Sequence, residues 1–426
     1  MIEPPRYESF LLSGDLRLCV NSNRKLKTIL VKVFLTADLD ETVTQRALLP
    51  LVLRRGTRRL PDMQSLSRHL EGLYGASLYS SVSKVGEWHV SKYHLEVVND
   101  RFLPRPEGLF PRGLELLRDL LLDPHRVDGG FSRKYVDQET ENLRRQIESL
   151  VDDKGAYAVF RCVEEMCREE PFRWNEQGRV KDLPAIERVD LYESYRQWIA
   201  TCPLAVYVAG DVDVSAVRHA VEEAFDLGRR AVQPLSPAPS PVAVGAPREI
   251  KEPMEVHQGK LVLGFRHGVT YGDVDEYAAL LIMNGVLGGF SHSKLFQNVR
   301  EKASMAYSAS SWVEKTKGLL FISCGIAVEN YERALEVILE QVEAMERGDI
   351  TDDEIDATAK TMINHNFMLE DDFSSLAEID HVWRLNGRTL DLLALREQLA
   401  GVRREQIVEV ARKLKHDTTY FLHSTN

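Results

Sequence analysis

An arginine and a tyrosine seven residues apart, Arg300 and Tyr307, are of types that can hold a peptide carbonyl or the oxyanion that develops on one. They lie in the stretch Asn284-Gly-Val-Leu-Gly-Gly-Phe-Ser-His-Ser-Lys-Leu-Phe-Gln-Asn-Val-Arg-Glu-Lys-Ala-Ser-Met-Ala-Tyr-Ser308, which reads as a glycine turn, a short helix and the start of a strand. Gly288 and Gly289 are expected to close the apolar helical run of residues 277–287 by adopting a positive φ. Ser291 or Ser293 then caps a new helix. In that helix Leu295 and Val299 share one face at i, i+4, while Phe296 and Arg300 form a second such pair at its edge. Tyr307 opens the alternating segment Tyr307-Ser-Ala-Ser-Ser-Trp-Val, a strand whose first side chain can return beside the guanidinium. Both residue types also have ordinary uses: an arginine near a helix C-terminus complements the macrodipole, and a tyrosine at a strand start is commonly a core residue with a wet hydroxyl.

Other chemistry finds little support. The twelve histidines contain no HxxxH pair, and His89 and His94 are five apart on opposite faces of a strand. His292, in the glycine loop, is placed either to touch a ligand or simply to be exposed; His365 and His381 read as capping or packing residues. The five cysteines are odd in number and form no CxxC, which argues against a disulfide framework or a thiolate zinc site, and Cys162 and Cys167 read as core. No GxSxG nucleophile motif is present. A net charge of -11, from 65 acidic and 54 basic residues without a basic stripe, argues against a nucleic-acid partner. The N-terminal residues lack the regions of a signal peptide, and no uncharged apolar run of about 18 residues follows. The expectation is a cytoplasmic protein with no membrane partner.

At 426 residues and 44% hydrophobic content, the chain has material for two or three packed domains. Residues 27–36 and 204–209 read as strands, 78–85 and 87–98 as a strand pair around Gly86, and 44–53, 61–73 and 214–225 as helices, with a long helical region over 132–167. The prolines of Gln233-Pro-Leu-Ser-Pro-Ala-Pro-Ser-Pro-Val exclude helix or sheet interior there. Beyond them the order of elements restarts, with strands at 259–265, from Tyr307 and at 319–325, and a capping box, Thr351-Asp-Asp-Glu354, opening a further helix. Residues match as well: Gly56 through Tyr79-Ser-Ser-Val corresponds to Gly285 through Tyr307-Ser-Ala-Ser. The organisation expected is therefore an α+β fold of two homologous domains, 1–228 and 249–426, each a mainly antiparallel sheet with packed helices, joined by a linker at 229–248. Cutting the linker is expected to leave two folded halves.

On these features the chain resembles the M16 (pitrilysin or insulinase) metallopeptidases along nearly its whole length, with a LuxS/M16 metallopeptidase-like fold. Leu287-Gly-Gly and Ser293-Lys-Leu-Phe-Gln-Asn-Val-Arg-Glu-Lys-Ala-Ser-Met-Ala-Tyr-Ser308 stand where the family carries Leu-Gly-Gly and Ser-(Arg/Lys)-Leu-Phe-x-x-x-Arg-Glu-Lys-x-x-x-Ala-Tyr-Ser. Its length is that of the M16B subunits of bacterial peptidases and the mitochondrial processing peptidase, in which two chains close a chamber. The resemblance implies that Arg300 and Tyr307 bind substrate and stabilise the transition state. It also exposes a departure. Active members carry His-x-x-Glu-His, two histidines holding zinc and a glutamate activating its water. Counted back from Gly56-Thr57, those positions fall on Ala47-Leu-Leu-Pro-Leu51, where no side chain can bind metal or take a proton. Pro50 is further expected to delay or kink the helix. The family's third zinc ligand corresponds to Glu139 or Glu141, which alone read as solvated or salt-bridged surface acids.

The resemblance therefore implies a non-catalytic M16B subunit, without a cofactor of its own, that pairs with a separate HxxEH-bearing, zinc-carrying subunit and lends Arg300 and Tyr307 to peptide hydrolysis. Self-association as a homodimer is the other pairing left open. The rival is a non-enzymatic scaffold of the same fold, like the core subunits of the respiratory bc1 complex.

Overall fold

The computed structural model describes residues 4–225, 231–237, 242–302 and 306–424. Residues 303–305 of the arginine–tyrosine motif, and 226–230 and 238–241 around the proline-rich stretch, lie outside them. The first half gives strands β1 (Glu8–Leu11), β2 (Leu16–Ser22) and β3 (Thr28–Asp38), helices α1 (Val43–Leu53) and α2 (Met63–Glu71), and the pair β4 (Ser77–Val85) and β5 (Trp88–Val98). Helix α3 (Leu109–Leu122), the small hairpin β6 (Arg126–Val127) and β7 (Gly130–Phe131), and helices α4 (Arg133–Ser149), α5 (Lys154–Met166) and α6 (Arg188–Thr201) precede β8 (Leu204–Gly210) and α7 (Val214–Ala224). The second half supplies β9 (Arg248–Pro253), β10 (Gly259–Arg266), α8 (Val274–Asn284), β11 (Ala306–Glu314), β12 (Leu319–Ile326) and α9 (Tyr331–Arg347). It ends with α10 (Asp352–Met368), α11 (Phe373–Leu385), α12 (Leu392–Ala400), α13 (Arg404–Ala411) and β13 (Lys415–His423).

Strand pairing makes the repeat explicit. Among the described residues one sheet runs β1-β2-β8-β3-β5-β4 and the other β9-β13-β10-β12-β11, the same order apart from the additional edge strand β1. The parallel pairs are also equivalent, β2 with β8 and β9 with β13, and the remaining pairs of the two sheets are antiparallel. The expected α+β class with mainly antiparallel sheets is what is seen.

The chain forms two compact units that draw on both halves: Met1–Glu148, Trp174–Pro237 and Glu370–His381 in the first, Ser149–Arg173, Ala238–Leu369 and Val382–Asn426 in the second. Contiguous bounds at 1–228 and 249–426 do not describe this packing, because each unit takes one helical segment from the opposite half. Alternation along the central strands shows why. In β3, Ile29, Val31, Val33 and Leu35 enter a core with α1, α3 and α6, whereas the opposite face carries Lys32, Phe34 and Thr36. That face is covered by the first turns of α11: Lys32 and Lys92 both pair with Glu378, at 2.5 and 2.7 Å, Tyr207 donates to Asp380 at 2.8 Å, and His381 stacks on Phe34 with centroids 4.2 Å apart. In the second unit Leu261, Leu263 and Phe265 of β10 face α8, α9 and α13, while Val262 on the other face joins Phe321, Tyr420 and Leu422 beneath Cys162, Val163 and Met166 of α5.

Two sequence expectations are corrected. The helical region 132–167 is two helices, because the Asp153 carboxylate accepts from the N–H groups of Gly155 and Ala156, both at 3.0 Å, and so caps α5 afresh. The break falls where the chain passes between units. Pro50 does not make α1 start late or break it: the helix is continuous over Val43–Leu53, with the Pro50 carbonyl accepting from Arg54 N–H at 3.3 Å and Ser80 Oγ at 3.2 Å. A helical proline costs about 3 kcal/mol. Burying Leu48, Leu49 and Leu53 almost completely, at roughly 1.5–3 kcal/mol each, outweighs it.

Candidate functional site

In the second unit the site is built on the end of α8. Neither Gly288 nor Gly289 has a positive φ. The helix instead widens into a π-helical turn over Gly285–Gly289 and ends at Phe290, which is extended (φ -139°, ψ 167°). Gly288 is required for close approach rather than for chain reversal, since a Cβ there would stand 2.6 Å from Ser311 Oγ and 2.7 Å from both Ser311 N and Leu295 Cδ1. Ser311 Oγ in turn donates to Asn284 Oδ1 at 2.9 Å, fixing β11 against the end of α8.

Of the two capping candidates Ser293 serves: its Oγ is 3.5 Å from the N–H of Phe296, and its carbonyl accepts from Gln297 N–H at 2.9 Å. The following segment, Phe296–Lys302, is π-helical and packs against β11. Leu295 and Val299 are fully buried, as their spacing indicated. Arg300 lies at the solvent edge, 44% exposed, its Cζ 4.5 Å from the centre of the Phe296 ring and its Nε 3.7 Å from the Glu301 carboxylate.

Tyr307 sits on a β-bulge. Ala306 pairs with Ile326 and Ser308 with the adjacent Gly325, so Tyr307 is the additional residue on β11. A bulge re-aims side chains and breaks the inward-outward alternation. Ala306, Ala309 and Ser311 are buried accordingly, while Tyr307 is 79% exposed, against the ordinary expectation of a core ring with a wet hydroxyl. Arg300 and Tyr307 thus stand on neighbouring elements, each exposed to solvent.

The surrounding loop is structural. His292 shares a hydrogen bond with Thr358 Oγ1 at 3.0 Å and stacks on Phe290, and His365 lies beside the same ring. Lys294 pairs with Glu354 at 2.9 Å. Burial pushes the Glu354 carboxyl up, but the Thr351 N–H of the expected capping box and Lys294 together hold it below the usual range.

In the first unit Ala47-Leu-Leu-Pro-Leu51, where the resemblance places the zinc-binding pentapeptide, is packed with carbon. Ala47, Leu48 and Leu49 are at most 2% exposed, Pro50 is buried and Leu51 packs against the same core. Glu139 is not a surface acid: its side chain is 8% exposed, and it pairs with Arg55 and accepts from Asn142 Nδ2 at 3.2 Å. Arg55 lies in the turn just beyond α1, and from there its guanidinium reaches the Glu139 carboxylate. That partnership was missed in the sequence, because it joins residues 84 apart along the chain. Glu141 is more exposed and pairs with Arg144 and Arg145, which hold it down at about 2. Among the described residues no group of three His, Cys, Asp or Glu side chains is arranged to hold a metal ion.

A family model described as the peptidase M16 inactive domain matches residues 185–362. The probable inactive metalloprotease YmfF of Bacillus subtilis (strain 168) is 37% identical over 413 residues, covering 97% of this chain and 96% of that one. This chain belongs to the M16 peptidase family. Among solved structures, a conserved protein from Enterococcus faecalis V583 superposes with a TM-score of 0.91 at 28% identity, covering 98% of this chain and 99% of that one. A peptidase M16 inactive domain from Pseudomonas fluorescens shares the fold, with a TM-score of 0.79 at 16% identity over 99% and 98% of the two chains. This chain of the M16 family carries no His-x-x-Glu-His sequence. Among its described residues no helix is long and apolar enough to cross a membrane.

Proposed function

We propose that this chain is the non-catalytic subunit of a two-chain M16 peptidase, contributing Arg300 and Tyr307 to a peptide-hydrolysing site completed by an HxxEH-bearing partner. The observation that carries the reading is Tyr307 itself, a large aromatic side chain set on a bulge and 79% exposed beside the helix of Arg300. A structural tyrosine would be turned inward, since burying its ring is favourable. Zinc in the partner would supply the activated water. This chain's guanidinium and phenol would donate to the substrate carbonyl and to the oxyanion as it forms, two preorganised donors that need no reorganisation during the reaction. The name of the Bacillus subtilis relative, a probable inactive metalloprotease, agrees with a chain that needs a partner for chemistry. A cytoplasmic location belongs to the same proposal.

The test is hydrolysis of a peptide by the chain reconstituted with an HxxEH-bearing M16 subunit, with assembly followed by size-exclusion chromatography. The chain alone should be inactive. Arg300→Ala and Tyr307→Phe should assemble normally and lower turnover by about 10²- to 10³-fold, the usual effect of losing one oxyanion donor. Variants that assemble and cleave at the wild-type rate would make both residues structural and favour the scaffold.

A further inference from the structure

Arg300 has two neighbours that compete for its guanidinium. The Phe296 ring lies beneath it, 4.5 Å from Cζ, and the Glu301 carboxylate is 3.7 Å from Nε. Phe296 is half-buried on a helix whose inner side is locked by fully buried Leu295 and Val299, so the ring is held in place. Arg300, 44% exposed, would without a neighbour to hold it sample many rotamers, and ordering it for a ligand would cost side-chain entropy. A cation within about 6 Å of an aromatic centroid is attracted to the ring face. Contact with a ring face uses none of the guanidinium's five N–H donors and leaves them available to an acceptor.

We propose that Phe296 is a positioning residue for Arg300: its ring holds the guanidinium over its face and away from full capture by Glu301, with N–H donors left for an acceptor. The role rests on the reading of Arg300 as a substrate-facing group. It assigns Phe296 a part in turnover that its place on a helix edge would not by itself suggest.

Two experiments separate this role from the reading beneath it. In the chain alone, labelled with ¹⁵N-arginine, the Arg300 Nε–H resonance is identified by its loss in Arg300→Lys. The ring current should shift it upfield; Phe296→Leu should remove that shift and Phe296→Tyr should keep it. A resonance unmoved by Phe296→Leu overturns the positioning. In the reconstituted pair, Phe296→Leu should lower kcat about two- to fivefold, the scale of an exposed cation–π contact, with little change in KM. Phe296→Tyr should restore it, and adding Phe296→Leu to Arg300→Ala should cost nothing more. A further loss in the Arg300→Ala background would make Phe296 a structural residue and overturn the proposal. If Arg300→Ala itself leaves turnover unchanged while the ring-current shift is present, the catalytic reading of Arg300 fails, and the role of Phe296 with it.

Discussion

Glu139 would be costly to bury alone, and Arg55 with Asn142 makes it tolerable. Removing one member of a buried pair typically costs about 3–5 kcal/mol; with Arg55 25% exposed, Arg55→Ala should lose roughly 2–3 kcal/mol of stability. Arg55→Ala/Glu139→Gln, which leaves no lone charge, should recover most of it. Urea unfolding midpoints of the three proteins check this, and an Arg55→Ala midpoint equal to wild type would remove the pair from the stability argument. Two buried histidines predict a pH dependence. Burial chiefly, with Arg46 nearby, lowers His89 to about 4 against the opposing Glu176 carbonyl and Asp40; burial and Lys413 lower His267 to about 4 against the Leu319 backbone and Asp273. Each folded value lies below the ordinary 6.5, so the unfolded chain binds more protons between these limits. The stabilisation is complete above about 6.5 and is lost as pH falls toward 4, at most roughly 3 kcal/mol per histidine. Urea midpoints should therefore fall between pH 7 and pH 5, where the carboxylates with depressed values stay ionised. A flat profile would show that the two rings gain protons as readily folded as unfolded.

The two glycines at the end of α8 separate two explanations for that element. If they served to reverse the chain, alanine at either would be strained. The geometry instead predicts that Gly288→Ala destabilises by about 1–3 kcal/mol, because Ser311 N belongs to the backbone of β11 and cannot move aside. Gly289→Ala should be mild, since the atoms nearest its Cβ would be those of Asn284, no nearer than 3.3 Å. Thermal melting of the two variants decides, with equal losses counting against the close-approach account. This is also the scale at which the sequence was most readable. Leu295 with Val299, the capping box at Thr351 and the strand pair β4–β5 follow from periodicity and side-chain chemistry that neighbours reinforce. What could not be read depends on distant partners. The bulge at Tyr307 is set by β12, and the need for Gly288 by Ser311, more than twenty residues along the chain. The continuity of α1 through Pro50 depends on a core assembled from the whole first unit. The motif identified Arg300 and Tyr307 as candidates; only the bulge shows how Tyr307 is turned outward.

At the scale of the molecule, the repeat was legible because both halves spell the same order of strands and helices. The exchange of helices was not, because a helix such as α5 reads the same whichever sheet it covers. Only the three-dimensional pairing shows that α5 belongs with the second sheet and the start of α11 with the first. The consequence reverses the expectation that cutting the linker releases two folded halves. A cut in the proline-rich stretch leaves Glu370–His381 on the downstream fragment, yet those residues complete the first unit; Ser149–Arg173 stays upstream and completes the second. Each fragment is then bound to the other by a share of both units, including the Lys32–Glu378 pair and the packing of Met166 against the second sheet. A specific protease site placed between residues 229 and 248 should give two bands under denaturing conditions and one peak on native size-exclusion chromatography. Residues 1–228 expressed alone should be poorly soluble, because Phe34, Tyr207 and the buried Lys32 lose the helix that covers them. Fragments that part without denaturant, each retaining a cooperative melt, would show that the exchanged helices are dispensable and that the contiguous halves are independent folding units.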